Sequence, residues 1–134
     1  MATAVSVKPR EQAINGQAAI ALALLSAWQE KRNDRGGGPT LEDVSSRIAE
    51  LLNDHIEIYD LGLRRVPGGV YSDEVETFVG HLLAEGLATH RSPLKITAQG
   101  EKLLRMIVRV ESEDHDQAVR LAAKVLALDP QEIL

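Results

Sequence analysis

The histidines and the clustered carboxylates are the side chains of this sequence whose types suit metal binding or acid–base chemistry. No two of the four histidines have the i, i+4 spacing of a zinc-binding pair on a helix; they are His55, His81, His90 and His115. Residues 113–116 place one histidine among three carboxylates, but no glycine shapes them into a calcium-binding loop. We therefore expect no metal site, and we interpret residues 113–116 as a solvated acidic segment.

The sequence also lacks the residue patterns of an enzyme that uses nucleophilic catalysis. The chain contains no cysteine, and none of its seven serines lies in the sequence pattern of a nucleophile elbow. The glycines at positions 36–38 lack the downstream Gly-Lys-Ser/Thr of a phosphate-binding loop, so they predict a flexible connector. The sequence therefore predicts a protein that is not an enzyme and that uses no cofactor.

Fixed charges are segregated along the second half of the chain. Residues 72–86 contain no lysine or arginine and four acids, which are Asp73, Glu74, Glu76 and Glu85. Residues 87–110 contain one acid, Glu101, and five cations, which are Arg91, Lys95, Lys102, Arg105 and Arg109. Because an acidic protein can still bind nucleic acid through clustered cations, this distribution is more informative than the formal net charge of −5.

A helix, a short hairpin and a second helix must position these charges. Ser72 is a suitable N-cap, and apolar residues at positions 75, 78, 79, 82 and 83 then form one stripe that ends before Gly86. Residues 87–89 and 94–96 alternate like two short strands, with Pro93 in the connection between them. Thr97 is the next N-cap, before a helix whose inner face contains Leu104 and Ile107.

The stretch GGVYSDEVETFVGHLLAEGLATHRSPLKITAQGEKLL resembles winged-helix modules of the PadR and MarR kind. Those modules also run from a helix through Gly-Leu and a short hairpin to the pattern Leu/Ile-Thr-x-x-Gly-x-x-Leu. The stretch is more similar to YwgA-type and Panacea-antitoxin-type proteins, which begin this helix with Gly-Pro-Tyr-Ser, although Val70 replaces the proline here and the wing is short. The resemblance covers about residues 61–110 and implies a helix-turn-helix followed by a β-hairpin wing.

The rest of the chain predicts further helices around this module. Residues 1–15 are interpreted as a flexible arm, and residues 16–31 as a helix that is apolar on nearly every side. Thr40 caps a second helix, residues 56–59 form either a short strand or a ragged continuation of that helix, and a last helix follows the acidic segment. Asp129 and Pro130 predict a final short helical turn. We therefore expect a mainly α fold, with one winged-helix domain over residues 16–134 and an additional C-terminal helix.

Composition is that of a globular protein without disulfides or membrane spans. The chain has 134 residues, of which 44% are hydrophobic. It has no apolar run of the roughly 20 residues that a membrane-spanning helix requires. Because no signal-peptide pattern precedes the first charges, we expect a cytoplasmic protein. The broad apolar surfaces of the first and last helices predict a homodimer or another protein interface.

Two functions fit these features: a regulatory protein-interaction module and a dimeric DNA-binding regulator. In the first, the helix over residues 72–85 presents its acids to a basic partner; they are Asp73, Glu74, Glu76 and Glu85. In the second, DNA binding is weak and uses phosphates, because four carboxylates on the recognition helix oppose a polyanion. The candidate contacts are Arg64, Arg65, Arg91, Lys95, Lys102 and Arg105.

We favour the interaction module because the four carboxylates on the helix over residues 72–85 oppose DNA binding. A basic face clear of carboxylates would favour DNA, whereas ion pairs between these cations and neighbouring acids would disfavour it. Tyr71, directly before the Ser72 cap, is interpreted as packing the chain against the helix rather than as a ligand-binding aromatic residue.

Overall fold

The structure is a computed structural model that describes residues 13–33, 37–67, 69–91 and 93–134. Within these residues the chain is mainly helical, with five helices and three two-stranded sheets. The helices are α1 (Gly16–Lys31), α2 (Leu41–Asn53), α3 (Asp73–Ala84), α4 (Ala98–Val125) and α5 (Pro130–Ile133). The strands are β1 (Ala13–Asn15), β2 (Glu57–Tyr59), β3 (Arg64–Val66), β4 (Gly69–Tyr71), β5 (Ala88–Arg91) and β6 (Leu94–Ile96).

Helix α1 lies at the centre of the core. Every side chain from residue 18 to residue 25 is buried, and the helix packs against both α4 and α2. The prediction of a helix that is apolar on nearly every side is confirmed, and the helix is buried within the chain itself. Because the chain's own helices cover this surface, the apolar surface of α1 no longer supports the predicted homodimer.

The capping residues predicted for the starts of α2 and α3 and for the end of α3 are confirmed. Thr40 and Asp43 form a reciprocal capping box at the start of α2, and the Ser72 hydroxyl accepts a hydrogen bond from the Glu74 amide at the start of α3. Gly86 follows α3 with a φ of +72°, the left-handed conformation that glycine adopts without strain. These caps depend only on neighbouring residues, which is why the sequence predicts them well.

The pattern Ile-Thr-x-x-Gly joins the hairpin to α4. The amide and the hydroxyl of Thr97 both donate to the Leu87 carbonyl oxygen, at 3.0 and 3.1 Å, while the same hydroxyl accepts from the Gly100 amide at 3.0 Å. A Cβ on Gly100 would overlap that carbonyl oxygen and would lie 2.9 Å from Ile96 Cγ2. This pattern is therefore explained by packing, because only glycine allows α4 to begin so close to the hairpin.

The interpretation of residues 1–15 as a flexible arm is wrong for the last three of them, while residues 1–12 lie outside the described part. Ala13–Asn15 is β1, which pairs in parallel with β2 and contains the fully buried Ile14. The alternative of a short strand at residues 56–59 is thereby confirmed over a ragged helix, since β2 covers Glu57–Tyr59. A three-residue strand carries little periodic signal, and its partner is far away in the sequence.

The connector between α1 and α2 is packed rather than flexible where the structure describes it. Gly37 and Pro39 are buried, and the Leu94 amide of β6 donates to the Pro39 carbonyl oxygen at 2.8 Å. Gly38 has a φ of +121°, and a Cβ there would overlap the Leu94 carbonyl oxygen. The connector therefore lies against the outer edge of the β5–β6 hairpin.

Helix α4 is longer than expected. It continues through the acidic segment to Val125, with non-helical angles inside it only at His115 (φ −135°, ψ 41°). The predicted last helix is therefore the second half of α4.

The described helices include none that is long and apolar enough to cross a membrane.

The connection from α2 to α3 differs from a short helix-turn-helix turn of three or four residues. It runs from residue 54 to residue 72 and contains β2 and the antiparallel pair β3–β4. Strand β4 packs against α2 and leads directly into the Ser72 cap of α3. A second small hairpin therefore stands beside the first turn of α3, where the sequence predicted only a turn with a basic pair.

One hydrophobic core extends from Ile14 to Ile133. Large apolar residues at the centres of the helices belong to it as buried side chains, namely Leu24, Ile48, Leu51, Leu82 and Leu104. Trp28, Phe78 and Ile107 are partly buried and pack against it.

We predict that Gly100→Ala destabilises the protein and that Gly80→Ala stabilises it. At Gly100 the new methyl meets backbone, and overpacking of this kind costs about 1–3 kcal/mol. Gly80, inside α3, has open space around a new Cβ, so alanine should add about 0.5–1 kcal/mol through helix propensity.

Urea denaturation followed by circular dichroism measures both free energies of unfolding. A Gly100→Ala variant at least as stable as the parent would contradict the described join between the hairpin and α4.

Candidate interaction surfaces

Helix α3 presents its acids to solvent. Val75, Val79 and Leu82 are buried, while the opposite side exposes residues 73, 74, 77 and 81. Glu85 is the exposed C-cap residue. Carboxylates in the first turn interact favourably with the partial positive charge of the helix N-terminus. Three of the four carboxylates, those of Asp73, Glu74 and Glu76, therefore stabilise α3.

The β3–β4 hairpin is attached to α3 by a cluster of polar contacts. The Tyr71 hydroxyl donates to a Glu76 carboxylate oxygen at 3.0 Å, and an Arg64 guanidinium nitrogen lies 3.8 Å from an Asp73 carboxylate oxygen. The guanidinium carbon of Arg64 lies 4.9 Å from the centre of the Tyr71 ring. Tyr71 thus contacts the first turns of α3, as the sequence interpretation expected.

These carboxylates change the acidity of Tyr71. The hydrogen bond to Glu76, followed by the hydrogen bond to Asp73, raises the pKa of the Tyr71 phenol above its usual value of 10.0. Because the folded state then holds the phenol proton more tightly than the unfolded chain does, the contact stabilises the folded state. This stabilisation is fully present at pH values below the pKa of Tyr71 in the unfolded chain. It is lost as the pH rises through the folded pKa.

Two grooves flank α3, and acidic residues line both. Groove A, of about 580 Å³, lies between α2, the β3–β4 hairpin and α3; its lining includes Leu41, Val66, Val70 and Val75 with the acids Glu42 and Glu76. Groove B, of about 260 Å³, lies between the start of α1, residues 60–61 and α3; its lining includes Ile20, Leu61 and Phe78 with the acids Asp60, Asp73 and Glu74. Among the described residues, neither lining contains a lysine or an arginine.

The six predicted cationic contacts do not form one surface. Arg64 and Arg65 lie on β3, where Arg64 is already paired with Asp73. Arg91 and Lys95 lie on the β5–β6 hairpin, and Lys102 lies one turn into α4. Within the described ranges these last three cations form no ion pair with a carboxylate. The ion pair of Arg64 counts against DNA binding, whereas Arg91, Lys95 and Lys102 form no such pair and favour phosphate contacts through the β5–β6 hairpin.

Arg105 lies in a different place from the other predicted contacts. It lines a small cavity between α1, α4 and α5, together with Trp28, Glu101 and Glu132. Its Nε atom is buried without a hydrogen-bond partner among the described residues. Arg105 therefore does not extend the basic surface of the β5–β6 hairpin, because its position on the helix turns it towards α1 and α5.

The structure also brings together three polar side chains that the sequence did not single out as a group, those of Tyr59, Glu111 and His115. The Glu111 carboxylate accepts from the Asn15 amide at 2.7 Å and from the Tyr59 hydroxyl at 2.9 Å. His115 Nε2 lies 3.2 Å from the same hydroxyl. Burial, followed by the hydrogen bond to Glu111, raises the pKa of Tyr59. These contacts attach β1 and β2 to α4 beside its irregular turn, which assigns them a structural role.

The described residues contain no group of three or more histidines, cysteines or acids placed to hold a metal ion. Residues 113–116 lie on α4, where Asp116 forms an ion pair with Arg120 at 2.9 Å and His115 faces Tyr59.

Comparison of the chain with protein-family models, with curated proteins and with solved structures finds no match. The winged-helix resemblance therefore depends on the residues quoted for it and stays a prediction.

We predict that Glu76→Gln lowers the pKa of Tyr71 towards its usual value, because a neutral amide replaces the carboxylate that disfavours the phenolate. Tyrosine absorbance during an alkaline titration measures this pKa. The chain has two tyrosines, so the Tyr59→Phe background isolates the signal.

Glu57→Gln on exposed β2 is the matched control and should leave the titration unchanged. An equal Tyr71 pKa in the parent and in Glu76→Gln would show that the Tyr71 hydroxyl does not donate a hydrogen bond to Glu76.

Proposed function

We propose that this protein is a non-catalytic protein-interaction module on a winged-helix scaffold, and that α3 and its two grooves bind a cationic segment of another protein. The observation that carries the proposal is the lining of grooves A and B. Five carboxylates and several apolar side chains surround α3, and the described lining residues include no lysine or arginine.

The order of the elements supports the scaffold. Helix α1 is followed by a connector that hydrogen-bonds to β6, then by α2 and α3, and the β5–β6 hairpin then leads into α4. This order is typical of a winged helix in which a strand-like segment after the first helix lies against the wing. The long connection between α2 and α3 is an elaboration of the helix-turn-helix, and its β3–β4 hairpin forms one wall of groove A.

Electrostatics favours a cationic protein over DNA at α3. Duplex DNA is a dense line of negative charge, and each uncompensated carboxylate on an approaching helix weakens association. A lysine- or arginine-rich protein segment instead gains favourable charge interactions, while its apolar residues bury against Val66, Val70 or Phe78. The same fold thus supports a function other than base reading, because fold alone does not determine function.

We predict that a designed helical peptide with a leucine stripe and lysines elsewhere binds the protein with micromolar affinity at low salt. Its counterpart with glutamates in place of the lysines should not bind measurably. Fluorescence anisotropy of the labelled peptides measures both affinities.

The double variant Glu42→Gln and Asp60→Asn tests the grooves, because it removes one carboxylate from each. Asparagine suits position 60, where φ is +59°. The matched control is Glu50→Gln with Glu57→Gln, which removes the same charge from exposed residues outside both linings. We expect several-fold weaker binding by the groove variant than by the control. Equal affinities would contradict the proposal.

A second candidate function, DNA binding through the wing, is favoured by Arg91, Lys95 and Lys102. These cations have no ion-pair partner in the described part of the chain, and Arg91 and Lys102 are exposed. Phosphate contacts of this kind are strong at low salt and indifferent to sequence.

We predict that any DNA binding is weak, steeply salt-dependent and abolished by Arg91→Ala with Lys95→Ala. Glu76→Gln with Glu85→Gln should leave it unchanged or tighten it. Anisotropy titrations of a labelled duplex at two salt concentrations test this. Submicromolar binding to one defined sequence, lost in Thr77→Ala or His81→Ala, would show that α3 reads bases and that the interaction proposal is wrong.

A further inference from the structure

One face of the β3–β4 hairpin holds a cation over an aromatic ring. The guanidinium carbon of Arg64 lies 4.9 Å from the centre of the Tyr71 ring, inside the distance of roughly 6 Å at which an aromatic face attracts a cation. Arg64 and Tyr71 are opposite each other in the antiparallel ladder, so both side chains project from the same face of the hairpin. The Tyr71 ring thus already accepts a guanidinium group.

Two carboxylates lie beside the same contact. The Tyr71 hydroxyl donates to a Glu76 carboxylate oxygen at 3.0 Å, and a guanidinium nitrogen of Arg64 lies 3.8 Å from an Asp73 carboxylate oxygen. A planar guanidinium can stack on an aromatic ring while its edge donates to a carboxylate, whereas the ammonium of lysine is a compact and strongly hydrated charge. The side chains of Tyr71, Asp73 and Glu76, which we call the Tyr71 site, therefore have the chemistry of an arginine-binding site.

The Tyr71 site lies between the two grooves that flank α3. Tyr71 and Glu76 belong to the lining of groove A, and Asp73 belongs to the lining of groove B. A partner segment that contacts both grooves must therefore pass over the Tyr71 site.

Arg64 is held only weakly in this position. Its side chain is 68% exposed, and that of Asp73 is 75% exposed. Ion pairs between side chains this exposed contribute little to stability, because solvent screens the two charges. Tyr71, in contrast, is half-buried, and its hydrogen bond to Glu76 does not involve Arg64. Another guanidinium can therefore replace that of Arg64 while the ring stays in place.

We propose that the Tyr71 site binds an arginine side chain of the partner, and that Arg64 occupies the site until the partner's arginine replaces it. This inference rests on the proposed binding of a cationic segment at α3, and it names the residue type that the segment must carry. Arg64 is then a competitor within the chain, which lowers the affinity for the partner and selects arginine over lysine.

Removal of the competitor tests this arrangement in the full chain. Arg64→Gln frees the Tyr71 site and should bind an arginine version of the leucine-stripe peptide about threefold to tenfold more tightly than the parent does. Arg65→Gln is the matched control, because the exposed Arg65 is the next residue of β3, projects from the opposite face and lies outside both groove linings. It removes the same charge and should change the affinity by less than about twofold. Fluorescence anisotropy at low salt measures these constants.

The ring itself provides the second test. Arg64→Gln should bind the arginine peptide several-fold more tightly than the lysine peptide. Addition of Tyr71→Leu should abolish this preference, whereas addition of Tyr71→Phe, which keeps an aromatic face, should retain it.

The outcomes separate this inference from the proposed function. If the parent binds the peptides but Arg64→Gln and Arg65→Gln show equal gains, the inference is overturned and the proposed function stands. Equal affinities of Arg64→Gln for the arginine and lysine peptides would have the same meaning. If neither peptide binds the parent or any variant, both the proposed function and this inference are overturned.

Discussion

Helix α1 has no polar side, so the rest of the chain must cover it in every direction. Its side chains from residue 18 to residue 25 are buried beneath α2 and α4, and Ile14 of β1 extends the same core. Burial of apolar surface on this scale is the dominant favourable term in folding. Because α2 and α4 are fixed against α1, the positions of the elements between them, including α3, follow from that packing.

The consequence for function is that α3 places its acids beside apolar surface. The acids of α3 border apolar grooves, whereas Arg91 and Lys95 on the β5–β6 hairpin and Lys102 on α4 form no ion pair with the other described residues. Arg64 is an exception, since it joins the β3–β4 hairpin to Asp73 instead of adding to the basic surface. The acids beside apolar grooves are the feature on which the proposed binding of a cationic segment at α3 depends.

What the sequence could predict depends on how far apart the interacting residues are. Caps such as Thr40, Ser72 and Thr97 act over a few residues, so their residue types identify the helix starts. The parallel pairing of β1 with β2 and the hydrogen bond from the Asn15 amide to Glu111 join residues that are far apart, the latter by 96 positions. Grooves A and B depend on such distant packing, so the sequence indicated the acids of α3 but not the cavities beside them.

We propose that α3 binds a cationic protein segment and not the bases of DNA. Amide chemical shifts of the isotope-labelled full chain, titrated in parallel with the lysine-rich helical peptide and with duplex DNA at the same salt concentration, test it most directly. We predict that the peptide shifts the amides of Thr77 and His81 together with those lining grooves A and B. We predict that DNA shifts only amides of the β5–β6 hairpin and the start of α4. Shifts of Thr77 and His81 with DNA, and none with the peptide, would show that α3 faces DNA instead.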